Sequence, residues 1–477
     1  MFCPALSQSC TRQLDPLVHA GCLQGRCVPA LELGSRDAGS AVIEMDGFYK
    51  PQVPVPPASK SFHGCSQCKS TFGRTRRRLE VVKRMLGRSE KKAWFYVSCA
   101  ETKQILVFEL DENARRLSLV EEHSVAGPEG PSLTSMPLAI TPDHRFLYAA
   151  VRSGSYPASS FAIDPSSGRL SSVGTTNLPY SMAYIGTDRS GRFLFGASYS
   201  DAKVSVSAIL PEGQLQREPV ALLNTPSNPH SVVPDKANQI IYITCLGEDL
   251  ILQHGFNSVT GHIEANRFAP ISTRPGAGPR HQVLHPSGCL LYVLNELDAT
   301  VASYRISQSQ GLTPLQIIGL LPSGTRVRPS AADLHLTPDG GLLYGSDRGS
   351  STLTSFIIDR RSGLLSRTST ISTEISPRGF NIDPSGSFLL AAGQHSDAVS
   401  LYAIVPLSGG LERIGRYATR TNPNWIETIG FQRASSGTEA RCPPQDASRE
   451  ISSLATGGSS GAKATQLRFA RCARADI

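Results

Sequence analysis

A turn-anchored unit recurs through the middle of this chain, and such a period constrains the fold more than composition can, because stacked repeats build architectures that no single unit forms. Each copy runs as a turn, a short apolar run, a small polar patch, a β-rich run ending in an aromatic residue or isoleucine, and a second turn. The copies are TPDHRFLYAAVRSGSYPASSFAID from Thr141, TDRSGRFLFGASYSDAKVSVSAI from Thr187, PDKANQIIYITCLGEDLILQHGF from Pro234, HPSGCLLYVLNELDATVASYRI from His285, TPDGGLLYGSDRGSSTLTSFIID from Thr337 and DPSGSFLLAAGQHSDAVSLYAI from Asp383. Their anchors Pro142, Asp188, Pro234, Pro286, Pro338 and Pro384 stand 46, 46, 52, 52 and 46 residues apart, close to the span of a four-stranded propeller blade. A seventh copy without its first hairpin turn, WFYVSCAETKQILVFEL, opens at Trp94. Its missing inner strand is expected from the distant stretch RTNPNWIETIGF, which would close the ring and remove its sheet edges. The expected fold class is all-β, a seven-bladed β-propeller.

The alternation in FLYAAV, LLYVLN and VSLYAI has the period of strands, and no stretch of the repeats sustains a helical pattern long enough to cover a sheet. At 477 residues with 42 Gly and 33 Pro, a closed turn-rich ring accommodates the length as one large domain, since blades can be added without a second core. The expected organisation is an extension over 1–92, a propeller over 93–433 and a tail over 434–477. Both ends are expected to be disordered, being mixtures of Pro, Ser, Cys and Gly without periodicity. RTRRRLEVVKRMLG is the one short helical candidate there, and Met85 offers a second start just ahead of the first blade.

The formal charge of +8 invites a nucleic-acid reading until it is divided. Residues 1–92 carry 15 Lys/Arg against 7 Asp/Glu, 434–477 carry 6 against 4, and the repeats between them carry 26 against 28. A nucleic-acid partner calls for a basic face on the folded domain, so none is expected. Eight of the 11 cysteines lie in the extensions. The remaining three, Cys99, Cys245 and Cys289, are too scattered for a disulfide framework. The Cys65/Cys68 pair lacks the two further ligands of a zinc site. With no basic n-region before an apolar run and no 18-residue apolar stretch, the expectation is a soluble protein of a reducing compartment, with no membrane partner. No metal and no cofactor are expected, and the oligomeric expectation is a monomer.

Propeller geometry indicates where chemistry sits, because the inner strand of each blade pairs with the next in an antiparallel hairpin. Reflecting the sequence about the turn at Gly288 sets Arg280 opposite Glu296. The same reflection sets Arg152 opposite Met136, His230 opposite Thr244, Arg348 near Asp333 and Arg378 near His395. One rim then carries four arginines, two histidines and a glutamate, a concentration costly to hold unless paired or meeting a ligand. Arg280 and Glu296 would read equally as a cross-strand ion pair if they stood alone. His281, His285 and His335 read as packing or turn-bonding residues, and Met136 and Tyr199 as channel wall. Several arginines imply an anionic substrate, since their planar forks match carboxylate or phosphate oxygens. A His and a Glu beside them offer a base and its orienting partner. The repeats contain no GxSxG elbow, Walker loop, strand-borne GxGxxG or HExxH motif.

At these same residues the chain resembles a known family. GAGPRHQVLHPSGCLLYVLNEL (276–297), AADLHLTPDGGLLYGSDR (331–348) and PRGFNIDPSGSFLLAAGQHS (377–396), extended by NPHSVVPD (228–235) and GRYATRTNPNW (415–425), are similar to the bacterial cycloisomerase-2-type 6-phosphogluconolactonases. The resemblance covers about Trp94 to Ile429. It implies hydrolysis of a small anionic sugar-phosphate lactone, 6-phosphogluconolactone, in the oxidative pentose phosphate pathway, in the cytoplasm and without metal. Fungal carboxymuconate-lactonizing members of the superfamily use a His, a Glu and two Arg. By motif these roles fall on His230 and Glu296 as catalytic residues and on Arg280 and Arg348 as substrate-binding ones, with Arg378, His395 and Arg152 completing the binding rim. The resemblance leaves open which of His230 and Glu296 is the base. Two rival readings remain at this stage: a muconate-type lactonizing or delactonizing enzyme, and a propeller that only binds.

Overall fold

The computed structural model describes residues 92–128 and 134–430. The expected extension over 1–92 (apart from Lys92) and the tail over 434–477, with the short helix candidate and the Cys65/Cys68 pair, fall outside the described residues.

Twenty-eight strands form seven four-stranded sheets, each antiparallel throughout. The only described helical element is a 3-10 turn at Leu246–Glu248. The sheets are blades around a channel, and their innermost strands are Leu138–Ile140, Tyr184–Thr187, Pro229–Pro234, Pro279–Leu284, Ala331–Leu336, Pro377–Ile382 and Pro423–Gly430. The last of these closes the ring. Its register against Ala93–Cys99 runs from Ala93 opposite Gly430 to Ser98 opposite Trp425, so the first blade takes its inner strand from the far end of the propeller sequence, as RTNPNWIETIGF implied.

The second strand of each blade is the most apolar because neighbouring blades cover both its faces. Phe146–Ala150, Phe193–Ser198, Ile240–Cys245, Leu290–Asn295 and Phe388–Gly393 are buried at every position. Outermost strands such as Arg116–Ser124 alternate between exposed and covered positions. The core is therefore a ring of inter-blade layers. Trp94, Tyr96 and Val107 of the first blade pack on Leu147, Ala149 and Phe161 of the second. On the other side Phe95, Leu106 and Phe108 pack on Leu390, Val399 and Leu401 of the seventh, which seals the closure.

A tyrosine in the second strand of several blades adds a polar staple to these layers. The hydroxyls of Tyr96, Tyr148, Tyr292 and Tyr344 donate to the carbonyls of Gly168, Gly213, Gly363 and Gly409 in the next blade, at 2.8–2.9 Å. Burial raises all four phenol pKa values, so they remain donors. Cys99 and Cys245 are buried free thiols. No described helix is long and apolar enough to cross a membrane.

Candidate active site

The inner strands start at one end of the channel, and five of the seven carry a β-bulge just inside that start. The ladder shifts between Pro229 and Ser231, between Pro279 and Gln282, between Ala331 and Leu334, between Pro377 and Gly379, and at the start of the closing strand between Pro423 and Trp425. The residues inside the bulges are His230, Arg280 with His281, Ala332 with Asp333, Arg378 and Asn424. A bulge turns a side chain out of the ladder's alternation and re-aims it, here toward the channel mouth. The entry is set locally: Asn228, Gly278, Ser376 and Asn422 each hold a left-handed φ of 55–66° immediately before the proline that begins the strand. Gly379 leaves room for the closing strand, since a Cβ there would lie 2.6 Å from the Asn424 carbonyl oxygen.

The bulges also correct the mirror pairings read from the sequence. Ser231, not His230, stands opposite Thr244. Pro279 pairs with Asn295, and the Glu296 N–H donates to the Gly278 carbonyl, so Arg280 is not directly across from Glu296. The Arg348 N–H donates to Ser330 rather than facing Asp333, and the His395 N–H donates to Ile375 rather than facing Arg378. Arg152 donates to Thr134 and Ser135 hydroxyls, next to Met136 rather than at it. Each inserted residue displaces the register by a position or two, which reflection about the turn ignores.

The side chains nevertheless converge. Glu296 lies between two guanidinium groups: Arg280 Nε is 2.9 Å from Oε2 and Arg348 Nη2 donates to Oε1 at 2.7 Å. Arg280 is 1% exposed and also donates through Nη1 to the Ala332 carbonyl. Burial works against ionisation of Glu296, but Arg280 and Arg348 outweigh it and hold the carboxyl below its usual range. Arg378 has no carboxylate of its own, and its Nε is buried without a partner. Burial first, then the charges of Arg280, Arg348 and Arg152, push its pKa well below the usual guanidinium value. Arg348, Arg378 and the exposed His395 line one cavity of about 510 Å³ together with Thr134, Gln394 and Asn422. A larger cleft of 860 Å³ lies at the opposite turns of the sixth and seventh blades, where Arg360 already pairs with Asp339.

His230 is 4% exposed, with its ring 5.7 Å from that of Tyr199 and 5.2 Å from that of His281. Burial, reinforced by Arg280, His281 and Arg378, holds it well below the usual histidine pKa, so it is a neutral imidazole at pH 7.

Below the mouth His281 and His335, expected from the sequence to be packing or turn-bonding residues, meet at Asp333. Asp333 accepts from His281 Nδ1 at 2.8 Å and from His335 Nε2 at 3.2 Å. His281 also packs edge-on to Tyr184 and Trp425. Only His285 keeps the turn-bonding part read for it, at 2.8 Å from Ser287 Oγ and 3.1 Å from the Gly340 carbonyl. A signal for Asp333 existed in the sequence: the strand openings read NPH, GPRH, SAAD, SPR and NPN, and aligning them puts Asn424 beside His230, Arg280 and Arg378, and Asp333 one position on, beside His281. Among the described residues no group of His, Cys, Asp and Glu side chains is arranged to hold a metal ion.

A closed seven-bladed ring with a cationic mouth built around an imidazole and a carboxylate has the form of a lactonase propeller. The chain belongs to that family: the model of the lactonase seven-bladed β-propeller family matches residues 92–428. It is similar to the 6-phosphogluconolactonase of Pectobacterium atrosepticum, 38% identical over 70% of this chain and 98% of the relative. The 6-phosphogluconolactonase of Yersinia pseudotuberculosis is 37% identical over 71% of this chain and 98% of its own length. Among solved structures, a periplasmic gluconolactonase of Pseudomonas aeruginosa superposes with a TM-score of 0.63 at 26% identity, covering 71% of this chain and 99% of that one.

Proposed function

We propose that this chain hydrolyses 6-phosphogluconolactone to 6-phosphogluconate, the cytoplasmic lactone-opening step of the oxidative pentose phosphate pathway, acting as a monomer without metal. The observation that carries the reading is Arg378, with a buried unpartnered Nε and no ion pair of its own among the described residues, beside Arg280 and Arg348, which share Glu296, and Arg152; Glu101 and Asp397 stand on the wall of the same cavity. Such a mouth favours a dianionic phosphate group over a neutral sugar.

In this mechanism Arg378, Arg152 and His395 take the phosphate. Arg280 and Arg348, held by Glu296, present N–H donors to the lactone carbonyl oxygen as it becomes an oxyanion. A water attacks the carbonyl carbon while His230 accepts its proton; the tetrahedral intermediate then expels the ring oxygen, which takes that proton back from the imidazolium. Glu296 serves as an anchor rather than a base, because both its oxygens are engaged by arginines and its lowered pKa makes it a weak proton acceptor.

The test is hydrolysis of freshly generated 6-phosphogluconolactone, with spontaneous opening subtracted, compared with unphosphorylated gluconolactone and a muconolactone. Turnover at least tenfold faster on the phosphorylated lactone, lost in His230→Ala, is the expected result. Faster turnover of the unphosphorylated lactone or the muconolactone would overturn the substrate assignment.

A further inference from the structure

Two buried imidazole nitrogens at this site have no hydrogen-bond partner: Nδ1 of His230 and Nε2 of His281. They belong to neighbouring rings with centroids 5.2 Å apart and planes inclined at 68°. An orphaned buried polar atom costs about 1–3 kcal/mol, so two on adjacent rings call for a common explanation. Asp333 supplies it. Because the carboxylate accepts from His281 Nδ1 at 2.8 Å, the proton of neutral His281 sits on Nδ1 and Nε2 carries a lone pair. His281 is indeed neutral: burial and then Arg280 lower its pKa to about 4, although Asp333 opposes them. Asp333 itself stays ionised, since the His335 and His281 contacts outweigh the burial that opposes ionisation.

We propose that Asp333, His281 and His230 form a relay in which His230 donates its Nδ1–H through one bridging water to His281 Nε2, leaving the His230 Nε2 lone pair aimed at the channel mouth. This rests on the reading of His230 as the proton acceptor and adds what selects its tautomer. His281 and Asp333 are positioning residues: neither touches substrate. When His230 takes the proton of the attacking water on Nε2, the imidazolium keeps its Nδ1–H bond to the bridging water and so to His281, and the Asp333 charge stabilises the cation through the intervening ring; the proton leaves from Nε2 to the departing ring oxygen, so both positioning residues end unchanged. The groups facing His230 are Arg280 and His281 on the inner strand of the next blade, Arg378 from across the channel, and Tyr199. Those facing His281 and Asp333 are Arg280, His335, Glu427, Tyr184 and Trp425.

The experiment has two readouts on the full chain. In nitrogen-15 histidine spectra of the unmodified protein near pH 7, His230 is expected as the Nδ1–H tautomer, with an amine-like Nδ1 and a lone-pair Nε2, and His281 likewise. Asp333→Asn and His281→Asn are expected to lower kcat by about 10–100-fold with KM within threefold. In Asp333→Asn the acidic limb of the kcat/KM profile should also move to lower pH, because removing a negative charge destabilises the His230 cation. A His230 spectrum with the proton on Nε2, or kcat within twofold of the parent in both folded variants, overturns the relay. Should either variant fail to fold, the spectrum of the unmodified protein still decides. A parent protein that leaves the phosphorylated lactone untouched while showing the expected tautomers would sink the substrate reading and not the relay.

Discussion

The two ends of the inner strands differ in how they treat buried polar groups. At the turn end, every polar anchor is satisfied by the main chain it caps. Asp188 accepts from the N–H groups of Arg192 and Phe193 at 2.8 and 2.9 Å, Asp235 from Gln239 and Ile240 at 2.7 and 3.0 Å, and Asp383 from Ser387 and Phe388 at 2.9 and 2.7 Å. Thr141 and Thr337 do the same with the N–H groups of Phe146 and Leu342. At the mouth end the strands open with bulges, and His230, His281 and Arg378 keep buried atoms without partners. One end of each strand closes a turn; the other leaves hydrogen-bonding capacity for something that arrives later.

The comparison can be broken first at its stable end. Asp383→Ala removes the acceptor of the Ser385, Ser387 and Phe388 N–H groups, the last of them buried, and should lower unfolding free energy by about 3 kcal/mol, read by denaturant titration, with kcat and KM for the lactone unchanged. A loss of activity as large as the loss of stability would mean that the two ends are not separable.

Arg378→Met probes the mouth. It should raise KM for the phosphorylated lactone by about 10–100-fold, a loss of one to two salt-assisted hydrogen bonds, without lowering the melting temperature, because the charge it removes has no carboxylate partner. A marked drop in melting temperature would show that Arg378 belongs to the scaffold.

A smaller effect sharpens the picture of the blades between the two ends. Tyr344→Phe deletes one inter-blade hydrogen bond, that to the Gly409 carbonyl at 2.8 Å, and should cost about 1 kcal/mol with the activity intact.

A last prediction concerns pH. Burial raises the Glu427 carboxyl to about 7 despite the Trp425 hydrogen bond and the His335 charge. Its folded-state pKa thus lies above the unfolded one, so the folded protein holds the extra proton. The stability this brings is full below the ordinary glutamate range and is lost as pH rises toward 7. Stability measured from pH 4.5 to 7.5 should therefore fall less steeply in Glu427→Gln; an unchanged slope would mean that Glu427 is not the group responsible.

The turn end is the part that the sequence displays. TPD, TDRSG, PDKAN, HPSG, TPDG and DPSG recur because a capped turn is a local device, made by residues within five positions of one another. From that recurrence follow the blade number, the all-β class and the need for a distant closing strand. The mouth is less legible. His230, Arg280, Glu296, Arg348 and Arg378 were readable as members of one rim, but their pairing was not. The bulges that aim His230, Arg280 and Arg378 follow a left-handed residue just before the strand, at Asn228, Gly278 and Ser376, and Glu296 and Arg348 come from the ends of second strands outside any bulge.

The chain's own sequence therefore determined the ring, its closure and the cationic character of one rim, all consequences of short-range periodicity and residue type. Only the tertiary structure decided that Glu296 is spoken for by two arginines, that Arg378 is left open, and that Asp333 in the sixth blade reaches His281 in the fifth, itself against His230 in the fourth. Those contacts join residues about 50 positions apart across blade boundaries, where a single-residue shift in register decides which side chain faces the channel.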